Sequence, residues 1–308
     1  MMTKGNNSKL QNEVLAQIVT DNSAKWLRLG RLFPKIKLKN DSEYYTFFKQ
    51  AKTLQDAIAS GDLGEAKPIA PGVSLQELNV RTPVNETVAI NTIGGVLNIS
   101  KQVMENNILS VSDMVKDIGA LIGDTIEREL YSVIAGAGFA TKNITSGEDI
   151  TEFVIDAQEA YKEAAGDFNE MNVLVTNYKD MTDVKKEFLA VNKGVEPVED
   201  IKAYFGLDNI DVMGTAICDG GKEFTAQSYL AFDINNPPIS LLYSQTSGAT
   251  VAPLGPNGEI VDFYPLVELL RKDIWDELPQ YSKIFVETRV GFKLNSENLA
   301  IKGSLDNS

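Results

Sequence analysis

The sequence predicts an α+β fold organised around one long amphipathic helix, with a central α/β module. Residues 110–138 place apolar side chains at the i, i+3 and i+4 spacing of a helix. Residues 51–100 are polar and rich in glycine, with short strand-like alternations. From residue 145 onward, helical and strand-like segments alternate over roughly 120 residues, an ordinary size for a domain.

Residues 1–50 predict a polar N-terminal arm with one amphipathic piece. Its basic segment, residues 28–39, has the sequence RLGRLFPKIKLK. This segment is either a contact for nucleic acid or an acidic neighbour, or an extended arm with solvated charges. We favour the extended arm because the remainder of the chain is acidic. The aromatic side chains of Trp26, Phe33 and Tyr44 need somewhere to be buried, and a neighbouring subunit is one candidate.

Residues 51–100 predict an extended hairpin that projects from the body. The strand-like segments are residues 73–84, 87–93 and 96–99. The first two would be joined near Asn85 and Glu86, and Val88 and Ile90 follow the two-residue period of a strand. The segment is too polar and glycine-rich for a compact domain. A hairpin of this kind is usually covered by another surface.

The predicted spine helix, residues 110–138, would be roughly 37 Å long at 1.5 Å per residue. Ser110 and Asp113 suit its N-terminus, where a capping hydroxyl and a carboxylate are favourable. Gly119 and Gly123 lie on one face of this helix because they are four residues apart. They are either tolerated helix glycines, or they allow a second backbone to pack closely or the helix to bend.

The α/β module is predicted to continue to residue 266. Its helices are expected at residues 150–166 and 178–191, and its strands at residues 171–176, 210–213, 229–232 and 239–243. Asn257 and Gly258 predict a tight hairpin turn. The tail predicts a helical piece at residues 267–277, a long strand at residues 282–294 and a short strand at residues 299–302.

The composition is that of a folded protein, with 308 residues of which 43% are hydrophobic and 23% are charged. A formal net charge of −14 disfavours ordinary recognition of DNA or RNA. The absence of histidine removes the commonest general base and the commonest metal ligand. The single cysteine, Cys218, permits no intramolecular disulfide, which suits a reducing cytoplasm.

Few residues suggest chemistry, and each has a simpler interpretation. Residues 136–141 are weakly similar to a dinucleotide-binding loop, but they follow a helix and lack the third glycine. Asp273, Asp276 and Glu277 would share a helical face that could hold a cation, although the neighbouring basic residues favour a solvated face. Cys218 has no histidine to activate it. We therefore predict no catalytic residue, no metal site and no cofactor.

The order of these pieces, with three short motifs, resembles the major capsid protein of tailed bacteriophages with the HK-ninety-seven-type shell fold. Residues 64–68 (GEAKP) and 88–105 (VAINTIGGVLNISKQVME) look like the family's hairpin, which runs into a strand ending in Ile-Ser and a short acidic helix. The spine helix with Glu127, Glu129 and its Gly-Ala-Gly end looks like the family's long helix. Residues 285–302 (FVETRVGFKLNSENLAIK) look like its closing strands.

The resemblance implies five parts. They are an N-terminal arm (residues 1–50), an extended hairpin loop (51–100), a peripheral domain with the spine helix (101–144), an axial α/β domain (145–266) and return strands of the peripheral domain (267–308). One subunit cannot bury such an arm and hairpin alone. Neighbouring copies in closed symmetric rings are therefore expected to complete them.

The resemblance also implies the function. The chain would be a major capsid protein that assembles as pentamers and hexamers into an icosahedral shell around the double-stranded DNA genome of a tailed phage. It would be assembled in the host cytoplasm and located in the virion. Scaffolding and portal proteins would be partners, the DNA would be enclosed without sequence-specific binding, and no membrane would be involved. The leader is too short for the family's scaffolding extension, so a separate scaffold or an already missing extension is implied. We predict no covalent cross-link.

Seven residues are the candidate contacts between subunits. They are Trp26, Phe33, Tyr44, Val88, Ile90, Glu127 and Glu129. Ordinary packing within one chain is the alternative for the apolar members. Glu127 and Glu129 are expected to face solvent, where a lysine or arginine of another subunit could pair with them.

Two other functions stay open at this point. One is the shell of an encapsulin-like protein nanocompartment of the same fold, which would enclose cargo protein in place of DNA. The other is a carboxylate-dependent hydrolase such as a glycosidase, using Asp273 or Asp276. The hydrolase predicts a concave pocket with two facing carboxylates and a monomer or small oligomer.

Overall fold

The computed structural model describes residues 4–50, 54–63, 79–80, 83–100, 111–142, 150–165, 170–177, 210–212, 214–225, 228–245, 247, 250–251, 268–274 and 281–303. The helices are α1 (Lys4–Trp26), α2 (Leu29–Leu32), α3 (Leu54–Ala59), α4 (Val111–Gly136), α5 (Ile150–Ala165) and a 3-10 turn (Glu297–Leu299). Across these described segments, none of the helices combines the length and the apolar character needed to cross a membrane.

The strands form two six-stranded sheets and one two-stranded ribbon. They are β1 (Lys35–Lys37), β2 (Tyr44–Gln50), β3 (Pro83–Ala89), β4 (Asn91–Ser100), β5 (Ala140–Thr141), β6 (Val173–Thr176), β7 (Ile210–Val212), β8 (Thr215–Asp219), β9 (Tyr229–Phe232), β10 (Ile239–Ser244), β11 (Thr250–Val251), β12 (Glu268–Ile274), β13 (Tyr281–Leu294) and β14 (Ala300–Gly303).

The first sheet is built around the long strand β13. Strand β4 pairs antiparallel with one edge of β13, and β12 and β10 follow one another along the other edge. Strands β1 and β11 extend the sheet beyond β10 and β12. Ile284, Val286 and Val290 alternate along β13 and are buried in one core with Ile122 of α4. The period of two in the sequence therefore corresponds to one covered face of this sheet.

The second sheet has the strand order β5-β14-β9-β6-β8-β7. Helix α5 covers one face of it through Val154 and Tyr161. The C-terminal half of α4 contributes Leu130 and Ile134 to a further core, which also contains Phe232 of β9. The spine helix α4 therefore joins two cores, one under each sheet, and fixes the position of the sheets relative to each other.

Helix α1 packs along α4 with their backbones in close approach. A Cβ atom added at Gly119 would lie 2.7 Å from the carbonyl oxygen of Val19, and one added at Gly123 would overlap the carbonyl oxygen of Ser23. Ala16 and Val19 are completely buried in this contact. The two glycines therefore serve close packing, which confirms one of the two alternatives that the sequence left open.

The C-terminal end of the spine helix is capped from the far end of the chain. The Nζ atom of Lys302 donates to the carbonyl oxygen of Ala135 at 2.6 Å and to that of Ala137 at 2.7 Å. A cation suits this position because the last carbonyl groups of a helix lack intrahelical partners and carry partial negative charge. Burial lowers the pKa of Lys302. Strand β14 is thereby tied to the spine.

Most element predictions in the described ranges are confirmed. The spine helix, the helix at residues 150–165, the strand at residues 229–232 and the long strand before residue 294 lie where the sequence placed them. Predictions at residues 73–78, 101–106, 178–191 and 257–258 lie outside the described residues. The five-part division of the chain stays a prediction.

The prediction of an extended arm is wrong for residues 28–39. They form α2 and β1, and Leu29 and Phe33 are buried in the chain's own core. The amphipathic piece predicted in the same leader corresponds to α1, which packs on α4 through Ala16 and Val19. The basic segment is therefore part of the body of the subunit.

The prediction of a helix at residues 267–277 is also wrong. Glu268–Ile274 form β12, which pairs antiparallel with β13. Asp273 therefore cannot share a helical face with Asp276 and Glu277, which lie outside the described residues. The premise of the glycosidase alternative is lost with that face.

The strand pairing predicted for the hairpin is wrong. No turn occurs at Asn85 and Glu86, because β3 runs through both residues. Strand β3 pairs with β2, so the ribbon joins residues 44–50 to residues 83–89. The sequence favoured a local turn because pairing across an intervening segment leaves no short-range signal.

Candidate assembly surface

The ribbon formed by β2 and β3 presents an uncovered outer face. Tyr44 and Phe48 lie on this face with Thr46 between them, since alternate residues of a strand point to the same side. Their exposed fractions are 65% for Tyr44 and 75% for Phe48. The hydroxyl groups of Thr46 and Thr87 hydrogen-bond across the two strands at 3.0 Å. Two large aromatic side chains are therefore held in a fixed frame and left in contact with solvent.

The inner face of the ribbon rests on the end of β13. Phe47 is buried, and the Nζ atom of Lys293 lies 4.5 Å from the centre of its ring. Val88 and Ile90 lie over Gly291, where an added Cβ atom would be 2.7 Å from Cδ1 of Ile90. The base of the ribbon therefore packs against β13 at Gly291, where there is no room for a side chain.

A turn at Asp41 fixes the start of the ribbon. Asp41 has a positive φ of 58°, a conformation that aspartate tolerates better than most residues. Its carboxylate accepts hydrogen bonds from the Ser247 hydroxyl at 2.5 Å and the Ser247 amide at 3.1 Å, and Arg289 lies 3.8 Å away. The hydrogen bonds from Ser247 lower the pKa of Asp41. These contacts attach the ribbon to the segment after β10.

Three large exposed apolar side chains belong to the ribbon. They are Tyr44 and Phe48 on the outer face and Val84 on the opposite face, and the other large exposed apolar residues in the described part of the chain are Val14, Trp26, Ile58, Val80, Val96, Leu121 and Ile155. Exposed apolar surface on a folded protein can mark an interaction site. Of the ribbon set, the sequence-based candidates contained only Tyr44. The run of aromatics in residues 44–48 (YYTFF), read with the alternation of a strand, was the signal that could have added Phe48.

Five of the seven predicted contact residues remain available to a neighbour. Tyr44 is exposed on the ribbon, Trp26 is half exposed at the end of α1, and Glu129 is exposed on the spine helix. Val88 and Ile90 are half buried in the seat of the ribbon. Their role as contacts between subunits stays a prediction.

Phe33 and Glu127 are buried in their own chain, contrary to the prediction that they contact another subunit. Phe33 is buried and its ring stacks on Phe232 of β9, with the ring centres 5.2 Å apart. Glu127 was expected to face solvent, but it is buried against the start of α2. Both side chains find their partners within their own chain, so neither is available to another subunit.

Glu127 caps a helix that lies about a hundred residues earlier in the sequence. Its Oε1 atom accepts from the backbone amides of Arg28 at 2.9 Å and Gly30 at 2.8 Å, and its Oε2 atom accepts from Leu29 at 3.0 Å. The first amides of a helix have no intrahelical acceptor, and a carboxylate satisfies them. Arg28 in turn pairs with Asp219 at the end of β8. These contacts lock the N-terminal segment to both the spine helix and the module.

Burial shifts the pKa values of two groups at this contact, Glu127 and Cys218. Burial raises the pKa of Glu127 to about 7, and the three amide hydrogen bonds and the charge of Arg28 oppose that shift. Cys218, next to Asp219, is fully buried, and burial with the neighbouring carboxylate raises the pKa of its thiol to about 12. The thiol is therefore protonated near neutral pH and unreactive.

Comparison with known proteins finds similarity in structure alone. No protein-family model matches the sequence, and no curated protein matches it. The capsid of cyanophage P-SCSP1u superposes with a TM-score of 0.56 at 11% identity, covering 91% of this chain and 88% of the other. The capsid of the Myoviridae phage XM1 gives a TM-score of 0.55 at 8% identity, covering 89% and 90%. The chain has a phage capsid fold. A virus-like particle from Pyrococcus furiosus shares it, with a TM-score of 0.53 at 11% identity and coverage of 96% and 99%.

The capsid fold confirms the α+β architecture that the sequence resemblance implied. The similarity extends along nearly the whole of each compared chain, so this protein is comparable in extent to the phage capsid proteins. Identities near 10% carry no information about individual residues. The ribbon and the spine helix must therefore be interpreted from their own geometry.

Proposed function

We propose that this chain is the major capsid protein of a tailed phage. Pentamers and hexamers of it would form an icosahedral shell around a double-stranded DNA genome, with scaffolding and portal proteins as partners. Assembly would take place in the host cytoplasm, and the mature protein would lie in the virion. The capsid fold supports a role in building a shell. The observation on this chain that carries the proposal is the ribbon, whose outer face exposes the aromatic side chains of Tyr44 and Phe48.

The ribbon supports assembly for an energetic reason. Fully burying a large apolar side chain contributes about 1.5–3 kcal/mol relative to leaving it exposed. The subunit leaves Tyr44 and Phe48 exposed on a rigid two-stranded frame, so this contribution is available to a second copy. Aromatic anchors of this kind dominate the binding energy of protein interfaces.

Replacing both aromatics, as Tyr44→Ser with Phe48→Ser, is expected to block assembly without unfolding the subunit. Exposed substitutions change the free energy of unfolding by about 0.5 kcal/mol or less. Loss of two anchors should weaken association at least about tenfold, since 1.4 kcal/mol corresponds to a factor of ten. Thermal unfolding monitored by circular dichroism and particle yield measured by light scattering test the two halves of this prediction.

The matched control is Thr87→Ser on the same outer face. This change removes one methyl group and keeps the hydroxyl that bonds to Thr46. The control should assemble as the wild type does. Normal shells from the double variant would refute the ribbon as an assembly contact.

Electron microscopy of the purified protein, alone and with co-expressed phage proteins, tests the proposal as a whole. Closed shells with five-fold and six-fold rings and nuclease-protected DNA are the expected result. Shells that contain protein and no DNA would support a nanocompartment in place of a genome container. A subunit that stays monomeric under all salt conditions and with a scaffold would refute both.

A further inference from the structure

A second exposed surface lies where α1 ends beside the spine helix. The Cβ atom of Trp26 lies beside Gly123, and the residue is 50% exposed. Beside it, Lys222 Nζ contacts Asp124 at 2.5 Å, and Arg128 Nε contacts the same carboxylate at 3.4 Å. We call Trp26, Asp124, Arg128 and Lys222 the basic patch.

The basic patch carries net positive charge on an acidic protein. Two cations share one carboxylate, while the formal net charge of the chain is −14. The side chains of Lys222 and Arg128 are 61% and 57% exposed, whereas that of Asp124 is 20% exposed. The nearby Arg28 and Asp219 neutralise each other. Tryptophan and arginine are enriched at protein interfaces and among the residues that contribute most to binding.

Helix α5 presents a surface of the opposite kind. Ile155 is partly exposed, and Asp156 and Glu159 beside it are exposed. Ile155 and Glu159 are four residues apart and Asp156 and Glu159 are three apart, so the three side chains lie together on the helix. The exposed Lys162, three residues after Glu159, follows on the same side, and the two carboxylates keep the net charge there negative. In the part of the chain that the structure describes, no ion pair is formed by either carboxylate. We call these three residues the acidic face.

We propose that the basic patch of one subunit binds the acidic face of the next subunit in a ring. This inference rests on the proposed shell function and adds which surfaces meet. The two surfaces have opposite charge, and each carries one exposed apolar side chain, Trp26 on one and Ile155 on the other. A contact between two different surfaces can repeat head to tail, and such heterologous contacts generate closed rings when their rotation closes.

Charge reversal on each surface tests the contact. One variant carries Arg128→Glu and Lys222→Glu, and the other carries Asp156→Lys and Glu159→Lys. Each alone places like charges across every contact and should reduce ring formation at least about tenfold. Asp156→Lys with Glu159→Lys should not change the melting temperature by more than a few degrees, because both side chains are exposed. Arg128→Glu with Lys222→Glu also removes both partners of Asp124, so its melting temperature should fall, and the chain with all four substitutions separates this effect from loss of the contact. Lys116→Glu reverses one charge about 18 Å from Arg128 on the same helix and serves as the control for a charge reversal outside the contact.

Recombining the reversals gives a test that general destabilisation cannot mimic. The chain with all four substitutions restores opposite charges and should assemble again. An equimolar mixture of the two double variants should also assemble, with the variants alternating around the ring. Alternation requires an even number of subunits, so six-membered rings should form and five-membered rings should not.

A cysteine pair tests direct contact. Trp26→Cys and Ile155→Cys in one chain should give a ladder of disulfide-linked subunits when assembled rings are treated with oxidised glutathione. Cys218 will not compete because its thiol is fully buried. Each single cysteine variant should give no ladder.

The outcomes separate this inference from the proposed function. Wild-type protein that never forms rings would refute the proposed function and the contact together. Rings that form equally well with either charge-reversed variant, or cysteine pairs that never cross-link in rings, would refute the contact alone. Unchanged rings that lose bound nucleic acid in the Arg128→Glu, Lys222→Glu variant would assign the basic patch to nucleic acid and also overturn the contact.

Discussion

Replacing Gly123 with valine is expected to displace the N-terminal helix from the spine helix and to destabilise the subunit by on the order of 4 kcal/mol. A Cβ atom at this position overlaps the carbonyl oxygen of Ser23 and lies 2.9 Å from Cβ of Trp26. Neither obstacle is the end of a flexible side chain, so the helices must separate. Separation exposes α1 residues such as Ala16 and Val19, which are completely buried against the spine.

Chemical denaturation and limited proteolysis measure this effect. The variant should have a lower denaturation midpoint, and a protease should cleave near the end of α1 much faster than in the wild type. Gly136→Ala on the same helix is the control, because a Cβ atom there meets nothing within 4 Å. That substitution should be neutral or stabilising by up to about 1 kcal/mol, as expected for alanine in a helix. Equal stability of the Gly123→Val variant and the wild type would disprove the backbone contact.

The spine helix shows how far sequence alone could go. Its length and period were sufficient to place it, and Gly119 and Gly123 were sufficient to predict a face that another backbone could approach. The partner on that face was not predictable. Helix α1 fills it partly with small and polar side chains, including the buried Thr20 and Ser23, and its amphipathic pattern does not identify the helix on which it packs.

The candidate surface was predictable to a similar degree. Of the two segments that were expected to need neighbouring copies, each contributes one strand to the exposed ribbon, whereas residues 29–33 of the leader are largely buried in their own chain. Tyr44 and Trp26 were recognised because large aromatics in polar segments stand out in a sequence. The burial of Phe33 and Glu127 was missed because it depends on distant partners, such as Phe232 for the ring and the Arg28 and Leu29 amides for the carboxylate.

Replacing Glu127 with alanine is expected to destabilise the subunit by about 3 kcal/mol, because buried donors that lose their acceptor carry the cost of desolvation. Three backbone amides, those of Arg28, Leu29 and Gly30, would be left without the carboxylate. Water has little access to them, since Leu29 and Gly30 are buried. Glu127→Gln keeps the shape and one acceptor oxygen but places an amide donor against an N–H, and should cost about 1–2 kcal/mol. Denaturant unfolding of both variants at pH 7 measures these differences.

The pH dependence of the same variants distinguishes a buried carboxylate from a merely well-packed side chain. The pKa of Glu127 is raised from 4.5 to about 7 by burial. Between these values the folded chain binds a proton that the unfolded chain does not, so this group makes the free energy of unfolding rise as the pH falls. Relative to Glu127→Gln, the wild type should gain about 2 kcal/mol between pH 8 and pH 5. A stability difference that is constant over this range would show that the pKa of Glu127 is not raised and that its carboxylate stays ionised against the three amides.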